Sequence, residues 1–425
     1  MDQTAQVLDR FKLLPDELIL AIIKCIGVEA TVRGYHSNYP KDLPVFMQLS
    51  RRWRDIILTE PSFWCQIRMC PSVTAVHQVT TYLERSKEHP LSVYWVDSSE
   101  VRSDQVSPLW TLVTQFSHRW RMLALQVSEA FHLDALLVSL QDISIPILNE
   151  IHIATSASLP SSAVQLSAQS QLRHIVLNYY PLSAIKFRQE LITHLELRPL
   201  ERFSYDKFTG LIDNMPSLQF LSLADAFDWK VQDWPLIRAP SLLTLVMADS
   251  LYYIWRYIKV FDCPKLQSLV LSSIGHDDFP LETCLKAMLQ YTAVEELALV
   301  GSSLDALAMV SVCVPNIIHL SLLVRDHRVH AHSGLDLSDT WPHLRSVSIN
   351  PMAEEISCQA IVNIVKHRQR SGHPLETIFI PEEQWGLLTE LETKVECNVR
   401  MRSLPCAAQY RLPPVYYPDV VSFDF

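Results

Sequence analysis

The chain has 425 residues, 48% of them apolar and 19% charged, a composition that can bury a large core and excludes a disordered chain. Its 36 Lys and Arg stand against 46 Asp and Glu, a net charge of −10, which leaves no electrostatic footprint for a phosphate backbone and excludes nucleic acid as a main partner. With only 8 glycines, and no GxGxxG, GxxxxGK(S/T) or GxSxG, the familiar nucleotide-binding and hydrolase motifs are excluded as well.

Residues 1–12 carry Asp2, Asp9, Arg10 and Lys12 among few apolar side chains, so they read as a short extension without the apolar core of a secretion signal. From Leu13, the run LLPDELILAIIKCIG predicts a helix. Pro15 suits a first helical position, and Asp16 and Glu17 sit in the turn where the helix dipole favours anions. Leu18, Ile19, Ile22, Ile23 and Ile26 form one apolar face, and Gly27 is placed to end the helix with a left-handed cap. A second helix is expected over LPVFMQLSRRWRDIILTE. It starts at Pro44 and stops before Pro61, with Phe46, Leu49, Trp53 and Ile56 or Ile57 on one face. Two such helices bury too little by themselves, so a partner or the following domain must cover them.

The combination LPDEL, then LSRRWRDI, then EPSFW resembles the F-box found in many fungal proteins. That resemblance implies docking on the Skp-type adaptor of a cullin-RING ubiquitin ligase, and the positions that match the motif are Leu14, Pro15, Leu18, Ile22, Leu49, Trp53 and Ile56. Pro15 and Trp53 stand 38 positions apart, more than is usual in the family, and the extra residues are expected in a polar loop over 28–42.

Beyond Trp64 a pattern of leucine, two residues, leucine, one residue, leucine recurs, with aliphatic substitutes. Clear instances start at Leu148, Leu172, Ile192, Leu218, Leu242, Leu266, Val294, Ile317, Leu344 and Leu375, and looser ones at Trp64, Pro90 and Trp120. The clear ones recur about every 25 residues, within the range of leucine-rich repeats. Pro146, Pro216, Pro240, Pro264, Pro315 and Pro342 each precede a motif by two residues, where the missing N–H is harmless at a strand start. Helix-like stretches between motifs, such as the one before Gly372, give a strand-then-helix unit whose neighbours must stack. Ala306 to Val324 lacks a charged side chain and is read as a buried helix, a break at Pro315 and a buried strand, not as a membrane span. The Asn or Cys of the repeat family is replaced by Tyr180, Ala226, Ser250, Ile274 or Ser302, so no asparagine ladder is expected. The proline- and tyrosine-rich end reads as an extended tail.

No catalytic residues or cofactors are expected. The HxxHxH cluster of His327, His330 and His332 reads as loop histidines without a completing ligand. Glu295, Glu296, Glu354 and Glu355 read as solvated surface. Trp229, Trp234, Tyr252, Tyr253 and Trp255 are candidate core or binding anchors. Nine cysteines without a CxxC pair fit reduced thiols in the cytosol or nucleus. The expectation is therefore an α/β chain: an extension over 1–12, an F-box over 13–64, an irregular leucine-rich-repeat solenoid over 65–400 with strands on its concave face and helices outside, and a tail over 401–425. Its partners are the adaptor and an unknown target protein, with no membrane.

Overall fold

A computed structural model describes residues 14–32, 45–69, 75–96, 103–128, 130–141, 143–155, 164–165, 171–198, 203–224, 235–248, 260–272, 291–300, 310–324, 341–351, 358–381 and 400–404. Its described residues fall into two compact units, one running to Gln171 with Ser183–Phe187 added, the other comprising Leu172–Leu182 and the residues from Arg188 onward. Both are α/β and built on parallel strands.

The first unit begins with helices α1 (Asp16–Val32) and α2 (Arg51–Thr59), followed by a 3-10 turn over Pro61–Trp64. Strand β1 (Gln66–Met69) then leads through α3 (Ala75–Arg85) to β2 (Leu91–Val96). From there α4 (Ser103–Thr114) connects to β3 (Trp120–Val127), and α5 (Ala130–Leu140) to β4 (Glu150–Thr155). Each strand pairs in parallel with the next, and Ile67, Val93, Leu123 and Ile151 stand in one register row, all buried. Parallel neighbours require the chain to return to the same end each time, and α3, α4 and α5 make those returns.

Ten strands form the sheet of the second unit: β5 (His174–Asn178), β6 (His194–Arg198), β7 (Phe220–Ala224), β8 (Thr244–Ala248), β9 (Ser268–Ser272), β10 (Glu296–Val300), β11 (His319–Val324), β12 (Ser346–Pro351), β13 (Thr377–Pro381) and β14 (Arg400–Leu404). All pair in parallel in chain order. Helices α6 (Tyr205–Asp213) and α7 (Cys358–Arg370) make two of the returns.

Every one of the ten clear motifs starts two residues before a strand, β4 to β13. The reason is the pleat, because positions three and five after the motif start fall on the same face of the strand. Ile175, Leu195, Leu221, Leu245, Leu269, Leu297, Leu320, Val347 and Ile378 consequently form one in-register row, each at most 1% exposed. Within 306–324, residues 310–313 are helical, Pro315 lies in a turn and β11 follows. No helix among the described residues is long and apolar enough to cross a membrane. The last strand, β14, carries the sheet to Leu404, into the segment expected as tail, and 405–425 lie outside the described residues.

Four local expectations are corrected. Helix α1 runs through Gly27 to Val32, so the first five residues of the expected loop are helical, and Gly27 caps nothing. The positive-φ glycine among the described residues is Gly372 (φ 82°), where α7 ends as His373 N–H donates to Arg368 O at 3.0 Å. The second helix is not continuous, since residues 45–49 are helical but Ser50 is extended and its hydroxyl accepts from Trp53 N at 3.2 Å, starting a new helix. The motif prolines are not at strand starts. Pro216, Pro240, Pro264 and Pro342 each occupy the second place of a turn closed by an N–H···O bond of 3.1–3.2 Å, as from Leu266 N to Cys263 O, and proline's fixed φ suits that place.

Long polar side chains between the strands bind backbone carbonyls of neighbouring segments. Tyr205 Oη donates to Pro235 O (2.7 Å), Tyr291 Oη to Phe261 O (2.9 Å), Trp341 Nε1 to Val314 O (2.8 Å) and Arg368 to Trp341 O (3.0 Å). Arg119 does the same in the first unit, donating to His89 O at 2.9 Å and Ser86 Oγ at 2.8 Å. The bonds to Phe261, Val314 and Trp341 are buried and satisfy carbonyls that would otherwise lose their hydration.

Candidate functional site

Two surfaces come into question, the N-terminal helices and the outer face of the second unit's sheet. In the first, Ile19, Ile23, Trp53, Ile57, Phe63 and Trp64 form a core. Asp16 accepts from Arg52 at 2.7 Å, and eight residues further along each segment Lys24 lies 3.2 Å from Glu60, so α1 and α2 run side by side in the same direction. A hydrogen bond from the Ser62 hydroxyl, helped by Lys24, holds the Glu60 carboxyl below the usual carboxylate range despite partial burial. On the inner side Trp64 meets Tyr82 of α3 edge-on at 5.0 Å, and the Arg85 guanidinium lies 4.4 Å above its ring.

The seven positions that match the F-box motif divide by burial. Trp53 is in the core at 6% exposure, Leu14, Ile22 and Ile56 are half-buried against it, and Pro15, Leu18 and Leu49 face solvent, the last two at 50% and 53%. Val45, at 58%, adds a further exposed apolar side chain. The break at Ser50 is what separates Leu49 from Trp53, because the two no longer share one helix.

On the second unit's sheet, the face opposite the leucine row carries His174 and His194 in the same motif slot of β5 and β6, followed by Phe220 on β7. Their rings form a ladder, with centroids 4.9 Å and then 5.6 Å apart. Thr193 Oγ1 lies 3.0 Å from His194 Nδ1, and Glu196 Oε1 lies 4.0 Å from His174 Nε2. Arg198 follows on the same face, its guanidinium 4.8 Å over the Tyr179 ring. Sequence reasoning passed over this group, although the signal was readable: two successive motifs, LRHIVLN and ITHLELR, place histidine in the same outward slot.

Cys65, Cys263 and Cys313 form no disulfide. Burial raises the Cys65 thiol and pushes that of Cys263 up to about 12, with Asp262 adding to the effect, so Cys263 stays protonated at neutral pH. A cavity beside it, lined by Phe261, Cys263 and Tyr291 among others, holds about 90 Å³, well below the ~300 Å³ of small-molecule sites. Glu295 and Glu296 are exposed. The histidines at 327, 330 and 332, the carboxylates at 354 and 355, and the aromatic residues at 229, 234, 252, 253 and 255 lie outside the described residues.

Compared with known proteins, the chain matches no family model and no curated protein.

Proposed function

We propose that this chain is the non-catalytic substrate-recognition subunit of a Skp-cullin-F-box ubiquitin ligase, docking on the Skp-type adaptor through its N-terminal helices and holding a target protein on a leucine-rich-repeat solenoid. The observation that carries the reading is the set Pro15, Leu18 and Leu49, apolar and exposed on helices whose opposite side is already packed. Apolar side chains left open on such a short helical pair suit a partner surface, and all three match the F-box motif. Trp53 then acts from within, holding α2 against α1. The solenoid part rests on the ten in-order parallel strands and their aligned leucine rows. Such a receptor makes no bond itself and works by raising the local concentration of its target beside the ubiquitin-loaded enzyme, in the cytosol or nucleus.

A second reading, a protein-binding scaffold whose first helices only cap the repeats, is favoured by the contact of Trp64 with Tyr82 and Arg85, which joins those helices to α3 as a cap would be joined. Co-expression of the full chain with a Skp-type adaptor separates the two. The wild-type chain is expected to co-purify with the adaptor, and a Leu18→Glu, Leu49→Glu double variant with an unchanged melting temperature is expected to lose it. A wild-type chain that never binds the adaptor overturns the ligase reading and leaves the scaffold.

A further inference from the structure

The outer face of the second unit's sheet changes character along its length. At the central outward position β5 and β7 to β12 carry small, closed side chains, Val176, Ser222, Val246, Val270, Ala298, Ser321 and Ser348, none more than 8% exposed, and β6 differs in carrying Glu196. Around Glu196 the first outward positions of β5 and β6 and the last of β6 are polar and partly open, with His174, His194 and Arg198. We propose that this polar end binds a carboxylate-bearing segment of a partner protein, with Arg198 as the anchor for the carboxylate and the His174, His194 and Phe220 ladder as the shelf beside it.

Arg198 carries the argument. Its Nε is buried and has no hydrogen-bond partner, and its guanidinium has an aromatic ring under it but no ion pair among the described residues. A desolvated donor left without an acceptor is costly, and a guanidinium fork matches the geometry of a carboxylate. The ring beneath it is held at a cost as well. Tyr179 has φ 57°, a left-handed conformation that bulky residues rarely adopt, and its N–H donates to Arg198 O, which locks the two together. Strain of this kind accumulates where side chains are positioned for a ligand.

Glu196, two residues back on the same face, turns toward His174. One guanidinium so close to a carboxylate suits a ligand group with one negative charge better than the nearly two of a phosphate. The His194 and Phe220 rings stack on each other, within 17° of parallel and 5.6 Å apart, so a ligand meets their edges, the electropositive part of an aromatic ring and the part suited to an anion. The inference concerns the second unit alone and stands whether or not the N-terminal helices dock on an adaptor.

The test pans the full chain against a random dodecapeptide library and measures the best peptide by fluorescence anisotropy. Asp or Glu is expected to be enriched at one position. Arg198→Gln should weaken binding about tenfold, the size of one charge-assisted contact. Replacing the selected acid by its amide should weaken binding equally on the wild-type chain and add little on Arg198→Gln, because both remove the same contact. Arg198→Lys, which keeps the charge, should retain part of the affinity, and an unchanged melting temperature for all variants separates binding from folding. The proposal is overturned if no peptide binds, if the bound peptides show no acid enrichment, or if the acid-to-amide change costs as much on Arg198→Gln as on wild type.

Discussion

Arg52 and Asp16 join the first turn of α2 to the first turn of α1 through a 2.7 Å hydrogen bond, yet their side chains are 40% and 62% exposed. The pair fixes which ends of the two helices lie together, and its exposure decides how much it contributes. Exposed ion pairs stabilise by about 0–1 kcal/mol. Asp16→Ala is therefore expected to change the unfolding free energy by no more than ~1 kcal/mol. Trp53→Ala, which empties part of the core beside Ile19, Ile23 and Ile57, should cost ~3–5 kcal/mol. Denaturant unfolding of the full chain, followed by tryptophan fluorescence, measures both, and equal effects would show that the helices are held by charge and not by their core.

Val294 N–H donates to Tyr291 O at 3.2 Å, closing the same turn that Leu266 N closes onto Cys263 O and Leu344 N onto Trp341 O. Proline fills the second place in the latter two turns, and exposed Thr292 fills it here. Thr292→Pro is expected to stabilise the chain by about 0.4–1 kcal/mol, because it lowers the entropy of the unfolded chain at a site whose backbone already suits proline. A fall in melting temperature would mean that this turn differs from its neighbours.

Stability at alkaline pH should depend on Cys263. Its folded thiol is pushed up to about 12 from a reference of 9.0, so its contribution is whole below pH 9 and is lost as pH rises toward 12, where the unfolded chain releases a proton that the folded chain keeps. Tyr291, raised well above its usual value chiefly by burial, acts in the same direction at higher pH. Urea titrations between pH 8 and 11 should show stability falling with pH, and less steeply in Cys263→Ala. An identical slope in that variant would remove Cys263 from the account.

The strands and their order of stacking were legible in the sequence because a strand's inward face is a local, period-two property. The residues at each motif start and three places later become buried together whatever lies around them. Helices α1 and α2 were legible for the same reason, their apolar spacing being local too. Their ends were less so. Gly27 reads as a stop, yet α1 runs past it to Val32, and Ser50 reads as mid-helix until its hydroxyl takes the Trp53 N–H.

Three things were decided by tertiary structure alone. Leu18 and Trp53 are equally apolar positions of one motif, but one faces solvent and the other the core, and the difference lies in what each helix meets. The carbonyls of Pro235, Phe261, Val314 and Trp341 are bound by Tyr205, Tyr291, Trp341 and Arg368, of which Tyr291 and Trp341 share a place three residues before a motif while Tyr205 and Arg368 reach from helices. Arg198 and Tyr179, nineteen positions apart, become one site only when β5 and β6 pair. The sequence by itself determined where the strands run, because that depends on alternation along the chain. Which side chains stay open to a partner depends on neighbours brought together across strands, and only the folded chain decides it.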